Sequence, residues 1–164
     1  MPIVIDTSAL VALPAIARID LLRETAGEVF VPDPVYREIV TQGEGWGNAR
    51  EARERLMSGQ GRRRVTVKMS NRDTIAPNLG AGERETLAAA LEHGWDVAID
   101  DLRGRKAAVS LGIESRLIGS LWVLIRAKRM GLVREVAPLI HGIRTRRIYY
   151  HPDLVEKVLR EVDE

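Results

Sequence analysis

Short runs of β-branched and aliphatic residues alternate with stretches of helical periodicity along almost the whole chain, and this alternation constrains the fold more than any other feature. Pro2-Ile3-Val4-Ile5 has the make-up of a buried strand and is closed by Asp6. In Ser8 to Glu24, Leu10, Leu13, Ile16, Ile19 and Leu22 recur every three residues, which predicts a helix with one apolar face, bent or restarted at Pro14. Glu28 to Pro32 is the second expected strand, and Asp33-Pro34 opens a helix with an acid as N-cap and proline in its first turn. After the glycine-rich break Gly43 to Gly47, a polar helix is expected over Asn48 to Met57 and a third strand over Val65 to Met69. A helix over Glu83 to His93 stops at Gly94, and Trp95 to Ile99 forms a fourth strand ending at Asp100-Asp101. Arg103 to Leu111 is helical up to Gly112, Ile113 to Leu117 a fifth strand, and Ile118 to Met130, Leu132 to Ile143 and Pro152 to Glu161 three further helices. Strands separated in this way by helices belong to an α/β domain with a mainly parallel sheet.

The 164 residues suit one domain spanning 1–164, with no internal repeat, low-complexity tract or linker. Aromatics are only 4% of the chain, so Leu, Ile, Val and Ala must fill the core. No cysteine is present, which excludes a disulfide framework, a zinc–thiolate site and a cysteine nucleophile, and fits a cytoplasmic location. Asp6 interrupts the apolar N-terminal stretch and no basic region precedes it, which argues against a signal peptide. No apolar run approaches the ~20 residues that span a bilayer, so no membrane partner is expected. The net charge is only +2, yet the basic residues cluster: Arg62 to Arg64, Arg103 to Lys106, Arg126 to Arg129 and Arg144 to Arg147. Such clusters permit a polyanionic partner, and equally suit solvated helix faces and loops.

In parallel sheets, functional groups gather beyond the carboxyl ends of the strands. Asp6 follows the first expected strand, and Asp100 and Asp101 the fourth. Glu38 and Glu83 lie on helices facing the same rim. Several carboxylates crowded at one edge repel each other and resist desolvation, a conflict that a hard divalent cation resolves. From the residues alone each acid has a simpler role too. Glu83 complements the dipole of its helix, Glu38 is a surface residue, and Asp6 is a turn former. Other chemistries lack their patterns. His93, His141 and His151 are widely spaced, Ser8 has no nucleophile elbow, and no phosphate-binding glycine loop is complete.

The segments Val4-Ile5-Asp6-Thr7-Ser8-Ala9-Leu10, Val31 to Ile39, Gly80-Ala81-Gly82-Glu83-Arg84-Glu85-Thr86-Leu87 and Ile99 to Ala108 resemble, in order and spacing, the PIN-domain nucleases. Within that family the resemblance is to a VapC-like branch, which Gly119 to Leu124 and Ala127-Lys128 also suit. It implies a three-layer α/β/α sandwich with a mainly parallel central sheet of four or five strands. The four catalytic acids would be Asp6, Glu38, Glu83 and Asp101, with Asp100 a further metal ligand. Ser8 and Ser120 would position metal-bound water or phosphate, and Glu85 is an alternative to Glu83. The sequence departs from the family in having Glu at the third acid, where many members have Asp, and Ile99 where many have Thr or Ser.

The function implied is hydrolysis of RNA phosphodiester bonds with Mg²⁺ or Mn²⁺, plausible for the toxin of a toxin–antitoxin pair, with a cognate antitoxin as protein partner. Arg103, Arg105 and Lys106 follow the fourth strand closely enough to touch a nucleic-acid backbone, or else pair with the site's own acids. A homodimer is expected from Leu121, Trp122 and Leu124 on one helix. The alternative function is a PIN-like module that binds nucleic acid or protein without cutting.

Overall fold

The computed structural model describes residues 2–16, 18–42, 50, 52–54, 62–65 and 75–164. Five parallel strands, β1 (Ile3–Ile5), β2 (Val29–Pro32), β3 (Arg62–Val65), β4 (Asp96–Ala98) and β5 (Leu117–Ile118), form one sheet in the order β3-β2-β1-β4-β5. Ile3 pairs with Val29 on one side and Asp96 on the other, and Val97 pairs with Leu117. The chain starts in the middle of the sheet, winds outward through β2 and β3, then returns to build β4 and β5 on the other side. β1 and β4, 90 residues apart in the sequence, are therefore neighbours whose carboxyl ends lie together at the point where the strand order reverses.

Successive residues of a strand face opposite sides of the sheet, and the core follows that pleat. Ile3, Ile5 and Ala98 pack on one face with helices α1 (Thr7–Ala12), α2 (Asp20–Ala26), α6 (Ser120–Arg129), α7 (Ala137–Thr145) and α8 (Pro152–Glu161), through Leu10, Leu22, Leu124, Ile140 and Val158 among others. Val4, Val97 and Ile99 pack on the other face with α4 (Ala81–His93) and α5 (Leu102–Ser110), through Leu87, Ala88, Ala108 and Ile113. The result is the expected α/β/α sandwich. Helix α3 (Asp33–Arg37) runs into one π turn, Glu38–Gln42. Wide turns of this kind re-aim side chains and recur at functional sites.

Several boundaries differ from the sequence-based expectation. The helix expected over Ser8 to Glu24 is broken, α1 giving way to a 3₁₀ turn at Pro14–Ile16 before α2 begins; Pro14 lacks the amide that an unbroken helix would require. Asp33 is the first residue of α3 rather than its cap. β3 covers 62–65, and the remainder of the expected third strand, 66–69, lies outside the described residues. Residues 50 and 52–54 are helical, the rest of the expected polar helix also lying outside. The fifth strand is only Leu117–Ile118. Gly112 turns the chain in the left-handed region at φ 71°, Ile113 drops into the core, and a 3₁₀ turn at Glu114–Arg116 intervenes. Residues 132–136 are not helical, and α7 begins at Ala137. Leu121 and Leu124 are buried in this chain's own core, and Trp122 is half-buried with the Arg126 guanidinium 5.2 Å from its ring centre. Two of the three residues that motivated self-association are thus already covered. Among the described residues no helix is long and apolar enough to cross a membrane.

Candidate active site

The carboxyl ends of β1 and β4 open into a cleft of about 420 Å³ lined by Asp6, Thr7, Ser8, Val11, Glu38, Gly80, Glu83 and Asp101. Four acids expected from the sequence therefore share one cleft. Each is held by the backbone feature that delivers it.

Asp6 is the residue at which β1 turns into α1. Its amide donates to the Ala98 carbonyl at 3.1 Å, continuing the β1–β4 ladder by one bond, and its Oδ1 accepts from the Ala9 amide at 3.0 Å as the N-cap of α1. Only 2% of Asp6 is exposed. Burial pushes its carboxyl up from 3.8 to about 7. The Ala9 amide and the Ser8 hydroxyl pull it back down, while Asp100 and Glu83 raise it further. In its charged form this carboxylate is strained by burial.

The Ser8 hydroxyl knits β1 to β4. It donates to the Asp6 carboxylate at 2.8 Å and accepts from the amides of Asp100 and Asp101 at 3.0 and 3.1 Å. A hydroxyl so occupied orients Asp6 rather than contacting water or phosphate, and it is not placed to act as a nucleophile. Ser8→Ala leaves two amides and a buried carboxylate short of a partner, so it should lower stability by roughly 1–3 kcal/mol. A fall in thermal midpoint with little change in fold by circular dichroism checks this.

Glu38 reaches the cleft from the π turn after α3, and the Thr7 hydroxyl donates to its Oε2 at 2.6 Å. Gly82 leaves the space for that carboxylate. A β-carbon there would lie 2.9 Å from Glu38 Oε1 and 3.1 Å from Val35 Cγ2. Glu83 caps α4 by accepting from the Gly80 amide at 2.9 Å. The helix-end role and the place in the cleft thus coincide. Asp101 is the N-cap of α5, its Oδ2 accepting from the amides of Arg103 and Gly104 at 2.7 and 3.1 Å.

Other expected site residues face elsewhere. Asp100 does not line the cleft with Asp101. Neighbours leaving a strand point to opposite sides, and Asp100 enters a separate hollow beside Gly119, Tyr150 and Arg105. There its Oδ1 accepts from the Ser120 amide at 2.9 Å. Burial raises its carboxyl above the ordinary range, against the opposing pull of Ser120's hydrogen bonds and of Arg105. Ser120 is buried next to it, its hydroxyl hydrogen-bonded to that of Tyr150, and it does not line the cleft. Burial and Asp100 together push the Tyr150 phenol well up. Glu85 does not line the cleft either; two positions apart on a helix, it and Glu83 diverge. Arg105 is turned inward, donating to the carbonyls of Ile99 at 2.8 Å and Ile118 at 3.2 Å, where it ties the ends of β4 and β5 together. Arg103, exposed, donates to the Asn78 carbonyl, and Lys106 is exposed. Thr7, Gly80 and Tyr150 were not singled out from the sequence.

Among the described residues no three acids or histidines stand close enough to grip an ion directly. The oxygen-only donor set nonetheless suits a hydrated one. Mg²⁺ keeps several waters and takes one or two carboxylates directly, the other acids reaching it through water. Asp6 and Asp101, which both line the cleft, would be the residues to hold such an ion. The model of a family described as a PIN domain matches residues 2–164. No curated protein matches the chain.

Proposed function

Because this chain belongs to the PIN-domain family, whose members are generally nucleases that use divalent ions, we propose that it is a metal-dependent endoribonuclease with Asp6, Glu38, Glu83 and Asp101 as its catalytic acids. The convergence of these four carboxylates on one cleft carries the proposal. Bound Mg²⁺ or Mn²⁺ supplies an activated water and neutralises charge developing on the scissile phosphate. Asp6, buried and reluctant to ionise, gains most from a cation and anchors it. Asp101 holds its position through the two α5 amides and presents its carboxylate to the same space. Glu38, steadied by Thr7, and Glu83, steadied by Gly80, would orient water in the cleft and take up its proton. The N-terminal end of α5 adds a partial positive charge beside the cleft, where a phosphate would lie. Arg103 and Lys106 are exposed for backbone contact, whereas Arg105 is engaged within the fold.

Single-stranded RNA should be cut by the purified chain in the presence of Mn²⁺ and left intact when a chelator is added. Cleavage that persists in chelator sinks the proposal, as does cleavage unchanged by Glu38→Gln, for which a loss of about 10²-fold or more is expected. Service as the toxin of a toxin–antitoxin pair, and action as a homodimer in the cytoplasm, extend the proposal. Co-purification with a small antitoxin expressed from a neighbouring reading frame would support the first.

A further inference from the structure

A second feature of the same edge of the sheet is not used by the cleft. Residues 146–151 join α7 to α8, and both ends of this connection are tied to elements around the site. At one end α7 packs on Pro14–Ile16, the turn that continues α1 beyond Val11. The contact is close, since a β-carbon on Gly142 would lie 2.8 Å from Ile16 Cγ2. At the other end the Tyr150 hydroxyl bonds to Ser120, at the carboxyl end of β5 and next to Asp100. The chain between these anchors therefore runs from the turn after α1 to the carboxyl end of β5.

What it displays there is unusual for a connection. Tyr149 is 73% exposed, the most exposed of the large hydrophobic side chains among the described residues, while its neighbour Tyr150 is buried. Arg144 and Arg147 are exposed on either side of the α7 terminus, and Arg147 takes a left-handed conformation at φ 65°. Neither arginine's side chain, nor the Tyr149 ring, has an ion pair, hydrogen bond or ring contact among the described residues. A cation near the end of a helix is favourable in itself. That accounts for Arg144, but not for Arg147 beyond the helix, nor for an aromatic ring left in water.

Building on the nuclease reading above, we propose that residues 144–149 form a track for single-stranded RNA leading to the cleft, with Tyr149 stacking on a base and Arg144 and Arg147 contacting the flanking phosphates. Arginine and an exposed aromatic ring on one short segment are the elements by which unpaired strands are held without regard to sequence.

The test uses the full chain carrying Asp6→Asn, which should not cut, and a short fluorescein-labelled single-stranded RNA followed by anisotropy. Tyr149→Ala should weaken binding roughly 5- to 100-fold, and Tyr149→Phe should restore it. The double change Arg144→Ala, Arg147→Ala should weaken binding and reduce the slope of log affinity against log salt by about 1.4, two phosphate contacts at about 0.7 each. Arg134→Ala, which removes one exposed charge elsewhere, should have little effect. All of these side chains are exposed, so melting temperatures should match the parent's. If the wild type cuts RNA but Tyr149→Ala and the double arginine variant bind as the parent does, the track is overturned and the nuclease stands. If the wild type does not cut, yet these variants lose RNA binding, the track stands and the nuclease falls. Equal loss in Arg134→Ala would reduce the effect to general charge and overturn the track.

Discussion

Replacing Asp6 with Asn should make the metal-free protein more stable at pH 8 while abolishing cleavage. The sign follows from the direction of the shift. Burial raises the Asp6 carboxyl in the folded chain from 3.8 to about 7. The unfolded chain therefore releases this proton more readily, and stability is full below the unfolded value and lost as pH rises through the folded one. At about 1.4 kcal/mol for each tenfold change in proton affinity, the ceiling on that loss is about 4 kcal/mol. Asn has the same shape, keeps an oxygen for the Ala9 amide and cannot ionise. A gain of about half the ceiling, roughly 2 kcal/mol, is expected at pH 8, or about 4–8 °C in melting temperature for a chain of this size. At pH 4 the two proteins should melt nearly together. Melting curves at the two pH values, recorded in chelator, check this. A variant less stable than the wild type at pH 8 would mean that Asp6 is held by compensating donors rather than strained. The expected gain would set function against stability at this one residue, as expected where an acid serves a cation as well as the fold.

Gly119→Ala should be among the most damaging single-methyl additions to the chain. A β-carbon at 119 would lie 2.5 Å from Asp100 Oδ1 and 3.3 Å from the Arg105 guanidinium. Neither neighbour is free to move. Asp100 is bonded to the Ser120 amide, and Arg105 to the carbonyls of Ile99 and Ile118. The backbone at Gly119 is extended, at φ −156°, so the requirement for glycine is one of space and not of conformation. Overpacking of this kind costs about 1–3 kcal/mol, and breaking a hydrogen bond to a buried carboxylate adds to it. A loss of about 2–4 kcal/mol is expected in urea denaturation. Cleavage should fall as well, because Asp101 is bonded directly to Asp100 and shares its turn. An unchanged midpoint would show that Asp100 is not held as described.

The elements that could be read from the sequence are those whose local pattern leaves one solution. Ile3–Ile5 is a β-branched run ended by an acid, and α8 begins at Pro152 and ends at Glu161, as its proline and apolar spacing indicate. The four acids of the cleft were recovered through the family resemblance rather than from the residues. Seen alone, Glu83 caps its helix and Glu38 resembles any half-exposed acid, and both descriptions are correct as far as they go. Asp100 is the instructive case. Adjacent residues leaving a strand point to opposite sides, so the two-residue period itself indicates that only one of Asp100 and Asp101 lines the cleft. Thr7 and Tyr150 act through contacts 31 and 30 residues away in the chain, with Glu38 and Ser120. No local periodicity records such pairings. The inward turn of Arg105 likewise depends on where β5 ends, and that strand was misplaced because Ile113 serves the core instead of the sheet.

Titration of Mn²⁺ into the chain by calorimetry at pH 8 tests the proposed cation site most directly. Saturable binding is expected in the wild type and in Glu85→Gln, with its loss in Asp6→Asn and in Asp101→Asn. Unaltered Mn²⁺ binding in both aspartate variants would contradict the account.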